Sequence, residues 1–306
     1  SVSNAQSYAV TVQTQPSAPT QTCTVTNGTG PAAPTNVTDV AVNCTTNTYT
    51  IGGTVTGLAG SGFVLSLNAG AQTVSVTANG AFSFPTAIAS GGTYAVTVQT
   101  QPSAPTQTCS LTNASGSVSS SNITNVTVTC TTNTYTVGGS VSGLTGSGLV
   151  LSLNVGAQTL PVAANGTFTF PTAAASGSSY TVTVQTQPSG PTQSCTVASG
   201  NGTVGASNVT NVTVTCATNT YSVGGSVTGL AGSGLVLSLN AGAQTLPVAA
   251  NGTFSFPTAL ASGSSYAVTV QTQPGSPTQT CAVSNGSGTV VAANITSIAV
   301  NCTTNT

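Results

Sequence analysis

The chain has 306 residues with no Lys, Arg or His and a single acid, Asp39, where an average globular chain of that size carries roughly 75 charged side chains. General acid–base catalysis, Schiff bases, mixed Cys/His zinc sites, carboxylate calcium sites and a phosphate-gripping surface all need side chains that are missing. The chain is therefore expected to be no enzyme, to carry no cofactor or metal and to bind no nucleic acid.

An apolar fraction of 38% is enough to build cores, and the Thr, Val, Ser and Ala that dominate suit pleated strands. No run approaches the roughly 18 apolar residues of a membrane helix, so no membrane span is expected. No charged-then-apolar leader opens the sequence, which reads as a mature chain or a piece of one.

The eight cysteines, Cys23, Cys44, Cys109, Cys130, Cys195, Cys216, Cys281 and Cys302, are separated alternately by 21 and 65 residues, a period of 86. Tyr8, Tyr94, Tyr180 and Tyr266 keep that period, as do Tyr49, Tyr135 and Tyr221. Counted from the Tyr of Thr-Asn-Thr-Tyr, residues 1–48 are the C-terminal half of a repeat and 49–134, 135–220 and 221–306 are full repeats, each large enough for a domain of its own. Residues 1–48 match 259–306 in phase, and two copies of one half cannot complete each other. The chain is thus expected to be a window on a longer array in which an upstream copy supplies the missing strands; the alternative is an intact protein whose first unit folds as a half-domain.

Within 135–220 the order is YTVGGSVSGL, a Gly-Ser-Gly turn, LVLSLN, a turn at Asn154-Val155-Gly156, AQTLPVAA, Asn165-Gly166, TFTFP, a loop, YTVTVQTQ, a Pro-containing loop, QSCTVA, a loop and NVTVTC: seven short strands and no helix. Asn165-Gly166, repeated at Asn79-Gly80 and Asn251-Gly252, predicts a two-residue type I′ hairpin turn with positive φ at both residues. Alternation puts Tyr94, Val96 and Val98 inward with Ala95, Thr97 and Gln99 outward, and Val126, Val128 and Cys130 inward with Cys109 and Leu111.

Cys109 lies early in its strand and Cys130 late in the next, where an antiparallel pair would set them opposite each other. One bridge inside each unit is expected, adding about 3 kcal/mol by closing a short loop. The alternative joins Cys44 to Cys109 across 65 residues. Eight paired cysteines imply an oxidising compartment; metal binding by four of them is disfavoured, since no Cys-x-x-Cys occurs.

ANGTFSFPTALASGSSYAVTV at 250–270, with its relatives at 78–98 and 164–184, and GGSVTGLAGSGLVLSLN at 224–240 resemble the tandem Ig-like, prealbumin-like or Cna-B-like β-sandwich repeats of secreted bacterial surface proteins. The resemblance implies an all-β tandem array of about seven-stranded Ig-like sandwich domains, extracellular or at the bacterial cell surface. Many Cna-B-like domains carry Lys-to-Asn isopeptide bonds; without Lys that crosslink is impossible here, which leaves the disulfide as the staple.

Only Thr-Thr-Asn-Thr separates Cys130 from Tyr135, which predicts a stiff joint between repeats. Edge strands are usually guarded by charge, and here none is available. Neutral, Thr-rich faces and unguarded edges point to self-association into a homopolymer: an extracellular filament, sheath or matrix fibre. The alternatives are a stalk or spacer of a cell-surface adhesin, or a weak carbohydrate-binding module using the outward row Asn125, Thr127 and Thr129. Asn-x-Ser/Thr triplets at Asn27, Asn122, Asn165 and Asn251 would permit glycans.

Overall fold

A computed structural model describes residues 6–32 and 34–306. By its contacts the chain divides into two compact units, Ser1–Tyr135 with Ala175–Ser178 and Gly205–Ser207, and the remainder through Thr306.

The first unit opens with four strands, β1 Ser7–Ala9, β2 Gln21–Thr26, β3 Thr29–Pro31 and β4 Ala41–Thr46. Repeat 49–134 follows as β5 Thr48–Tyr49, β6 Ile51–Thr56, β7 Phe63–Leu67, β8 Gln72–Val76, β9 Gly80–Ser83, β10 Ile88–Ala89, β11 Thr93–Thr100, β12 Gln107–Thr112, β13 Ser115–Ser117 and β14 Ile123–Thr132. Seven of these, β6 to β9, β11, β12 and β14, are the strands expected from the sequence; β5, β10 and β13 are additions of two or three residues. No helix occurs among the described residues.

The strands form two four-stranded sheets, β12-β14-β6-β9 and β13-β11-β7-β8, and a small β10-β5 ribbon. The chain's first long strand, β6, lies parallel beside its last, β14, whereas the other pairings in these sheets are antiparallel. The core between the sheets holds Ile51, Phe63, Leu65, Leu67, Phe84, Val126 and Val128. Tyr94 and Val96 are buried and Ala95, Thr97 and Gln99 exposed, as alternation requires. The second unit repeats this arrangement, with sheet orders that correspond strand for strand and a matching core around Leu235, Leu237, Phe256 and Val300.

A bulge sets the centre of the cysteine-bearing sheet. Between Ile123 and Val126 the register of β14 against β6 shifts, which pushes the Val126 carbonyl against Gly53. In repeat 135–220 the same bulge brings Val212 under Gly139, where a Cβ would meet the carbonyl oxygen of Val212 and lie 2.6 Å from its carbonyl carbon. Only glycine fits that place.

One buried polar side chain ties each repeat together. Gln107 is 2% exposed; its Oε1 accepts the N–H groups of Ala59 and Gly60 at 2.7 and 2.8 Å, and its Nε2 donates to the Gly57 carbonyl at 2.8 Å. Gln193 and Gln279 make the same set. Among the described residues no buried side-chain polar atom is left without a partner.

The Asn-Gly expectation needs correction. Strands Gln158–Val162 and Gly166–Thr169 lie in different sheets, so Asn165-Gly166 crosses between layers and closes no hairpin. Gly166 has φ 129°, while Asn165 is not among the residues of positive φ. The Asn165 carboxamide instead accepts the Leu144 N–H at 2.7 Å and donates to its carbonyl at 2.9 Å. A tertiary contact, 21 residues away, thus overrides the local turn preference.

The hairpin lies at Asn154-Val155-Gly156, with φ of 51°, 52° and 88°. Val155 is 95% exposed and holds a β-branched residue in the left-handed region, which costs it about 1–2 kcal/mol. The other repeats place Ala69 and Ala241 there. Val155→Gly is expected to stabilise its repeat by roughly 1 kcal/mol, read as an upward shift of the denaturant midpoint at unchanged slope; a lower midpoint would contradict it.

Candidate functional site

With no ionisable cluster to build on, the surfaces that can act are the disulfide-bearing sheet, its outward face, its free edge and the joints between repeats. Cys109 and Cys130 face each other directly in the β12–β14 register and are bonded, as are Cys23 with Cys44, Cys195 with Cys216 and Cys281 with Cys302. No cysteine is free. Among the described residues no group of three His, Cys, Asp or Glu could hold a metal ion, and no helix is long and apolar enough to cross a membrane.

The outward face of this sheet carries rows of hydroxyls. Ladder partners align Thr112, Thr127 and Thr54 in one row and Ser110, Thr129 and Thr56 in the next. Thr129 is exposed and Thr127 half-buried; Asn125 is exposed at the bulge. Among the described residues every Phe is buried and no Tyr is exposed, so the face offers no aromatic platform for a sugar ring. Open depressions occur at Leu160, Val162 and Phe168, and at Gly52, Phe82 and Ile123, without an ionisable side chain in either lining.

One edge of this sheet, β12, is guarded after all. β12 ends its sheet, and at its midpoint the Gln101 carboxamide brackets Cys109, accepting its N–H at 2.8 Å and donating to its carbonyl at 3.2 Å. Gln15, Gln187 and Gln273 do the same for Cys23, Cys195 and Cys281. The expectation of wholly unguarded edges is thereby corrected: a neutral amide occupies the position where an incoming strand would bond. A Gln eight residues before the first Cys of every repeat was the available signal.

Each joint is a ring of polar contacts. In the first unit the Thr20 N–H donates to Ser90 Oγ at 2.9 Å, the Thr20 and Tyr49 hydroxyls share a hydrogen bond at 3.0 Å, the Ser90 N–H donates to the Asn47 carbonyl at 2.8 Å and the Asn47 N–H to the Thr20 carbonyl at 3.0 Å. Thr106, Asn133, Tyr135 and Ser176, all members of that unit, repeat the ring. In the second unit it is made by Thr192, Asn219, Tyr221 and Ser262, whose hydroxyl also donates to the Val291 carbonyl.

The chain matches no protein-family profile and no curated protein. Among solved structures it is similar to the Bacillus anthracis TIE protein, at 9% identity and a TM-score of 0.48, covering 86% of this chain and 54% of that one. The two B repeat units of the Staphylococcus aureus collagen-binding protein match at 14% identity and a TM-score of 0.25, over 84% of this chain and 75% of theirs. A streptococcal ancillary pilin matches at 12% identity and a TM-score of 0.23, over 83% and 99%. The chain spans about half the length of the TIE protein chain, and likenesses this distant carry no functional assignment.

The four Asn of the glycan triplets are exposed, and each makes a hydrogen bond within the fold. Asn165 and Asn251 bond the backbone of Leu144 and Leu230 through both carboxamide atoms. Asn27 donates to the Asp39 carbonyl at 3.0 Å, and Asn122 accepts the Thr50 N–H at 2.9 Å.

Proposed function

We propose that the chain is a non-enzymatic structural segment of an extracellular filament or sheath at a bacterial cell surface, with 49–134, 135–220 and 221–306 as its folding units and 1–48 as the C-terminal half of another. The observation that carries this reading is the outward face of the cysteine-bearing sheet: rows of neutral hydroxyls whose contact with a second copy meets no charge repulsion. The Gln bracket disfavours strand addition along β12, so association in this reading runs through faces and in series. The disulfides fit an oxidising location outside the cell.

Purified chain is expected to form ordered polymers visible by electron microscopy, whereas isolated beaded monomers over a wide concentration range would refute the filament and favour a stalk. Because one carboxylate and no base remain, almost nothing titrates or is screened between about pH 3 and 9. Polymer yield and melting temperature are expected to stay flat across that range and from low to molar salt. A sharp transition within it would overturn the reading.

A further inference from the structure

Strand β8 ends the second sheet of repeat 49–134 and pairs with β7 alone. Which of its backbone groups face outward follows from β7. The Asn68 N–H, just beyond β7, donates to the Ala95 carbonyl of β11. Amides alternate in direction along a strand, so Leu67, Leu65 and Phe63 turn theirs to β8 and bond Gln72, Val74 and Val76. The N–H and C=O groups of Thr73 and Ser75 therefore point to the open side, and both residues are exposed.

The other full repeats show the same phase independently. Pro161 of strand Gln158–Val162 stands opposite Val150, and Pro247 of strand Gln244–Val248 opposite Val236, as Ser75 stands opposite Val64. Proline has no N–H, so it fits this strand only where the N–H would face outward. Two repeats thus carry proline where an incoming strand would seek a donor, one of the usual ways of blunting a sheet edge. Repeat 49–134 carries serine there, and its edge keeps both donors.

We infer that this edge pairs with the same edge of a second copy of the chain, antiparallel and about a two-fold axis at Val74. The outward groups set the register: with Val74 opposite Val74, Thr73 of each copy stands opposite Ser75 of the other, and each such pair exchanges both of its N–H···O=C bonds. Two outward residues placed evenly about a central valine make the strand its own complement, which is why a second copy is the occupant. The side chains suit this register. Thr73 and Ser75 oppose each other as a pair of hydroxyls, and no charge on either edge resists the approach. The half-buried Val74 meets its own copy beside an open depression lined by Val76 and Phe82. Such a contact closes on itself and joins chains in pairs, so it adds a lateral link to the filament reading without depending on it.

The test is residue-resolved amide exchange on the full chain from dilute to concentrated solution, for the parent, Ser75→Pro and Pro161→Ser. In the parent, exchange at Thr73 and Ser75 is expected to slow at least about 10-fold as concentration rises, while Thr159 and Thr245, in the same place of the other repeats, stay unchanged. Ser75→Pro is expected to abolish the slowing at Thr73 while Val74, bonded to β7, keeps its protection and so reports an intact fold. Pro161→Ser is expected to make Thr159 concentration-dependent as well. Exchange at Thr73 and Ser75 that ignores concentration overturns the inference, as does slowing that survives Ser75→Pro or reaches Thr159 and Thr245 equally in the parent. Slowing by an added peptide of alternating Thr and Val, with none from concentration, assigns the edge to a foreign strand and overturns it too. Polymer growth through faces leaves these edge amides open, so the pairing and the filament fail separately.

Discussion

Replacing Gly139 with valine is expected to remove a large part of the stability of repeat 135–220, enough to unfold it if its stability lies at the low end for its size. The added Cβ meets the carbonyl of Val212 on the neighbouring strand, 2.6 Å from its carbon and 2.9 Å from its Cα, and these are backbone atoms held by the ladder on both sides. Relief requires breaking the parallel pairing of Val137–Ser142 with Val209–Thr218, the contact that closes the sheet. A cost above about 4 kcal/mol follows, against a total stability of roughly 4–13 kcal/mol for a domain of this size. Peptide-resolved hydrogen exchange should show loss of protection across 137–216, while Thr215→Val, an outward change on the same sheet, leaves it intact. A melt superimposable on that of the parent would mean the bulge can relax and that the glycine is dispensable.

Removing one bridge is the next largest effect. Cys195→Ala with Cys216→Ala frees a loop closed over a separation of 21 residues, which the chain-entropy model values at about 3 kcal/mol. For a domain of this size that is a fall in melting temperature of roughly 12–24 °C, confined to the altered repeat. The pairing is checked in the parent by a non-reducing chymotryptic digest, since trypsin has no site to cut. Peptides joining Cys109 to Cys130 are expected; Cys44 joined to Cys109 would contradict the fold, because those two residues stand in different repeats and face their own strand partners.

What could be read in advance follows from the range of the forces involved. Inward and outward positions in the strands were legible because alternation is a property of neighbours in the chain, and Tyr94, Val96 and Val128 obey it. The pairing of Cys109 with Cys130 was legible as well, being a contact between consecutive long strands. The parallel contact of β6 with β14 was not, since it joins Val55 to Val128 across the whole repeat and leaves no local trace except the Gly-Gly that makes room for it. Asn165 misled for the same reason: its carboxamide answers to Leu144, and dipeptide preference knows nothing of Leu144. Among surface features, the hydroxyl rows were visible in the sequence as alternating Thr and Ser, whereas the joint rings join residues up to 70 apart, such as the Thr20 N–H and the Ser90 hydroxyl, and need the fold to be seen.

The carboxamide bracket at Gln101, Gln187 and Gln273 has a kinetic consequence. A lysine on an edge strand deters by repulsion, which acts at a distance and costs the guarded protein nothing to maintain. A carboxamide deters by occupancy: an approaching strand finds its two bonding partners taken and must wait for both to release together. Such a guard delays strand addition at β12 without forbidding it, because both carboxamide bonds to Cys109 must be open together before another strand can take their place.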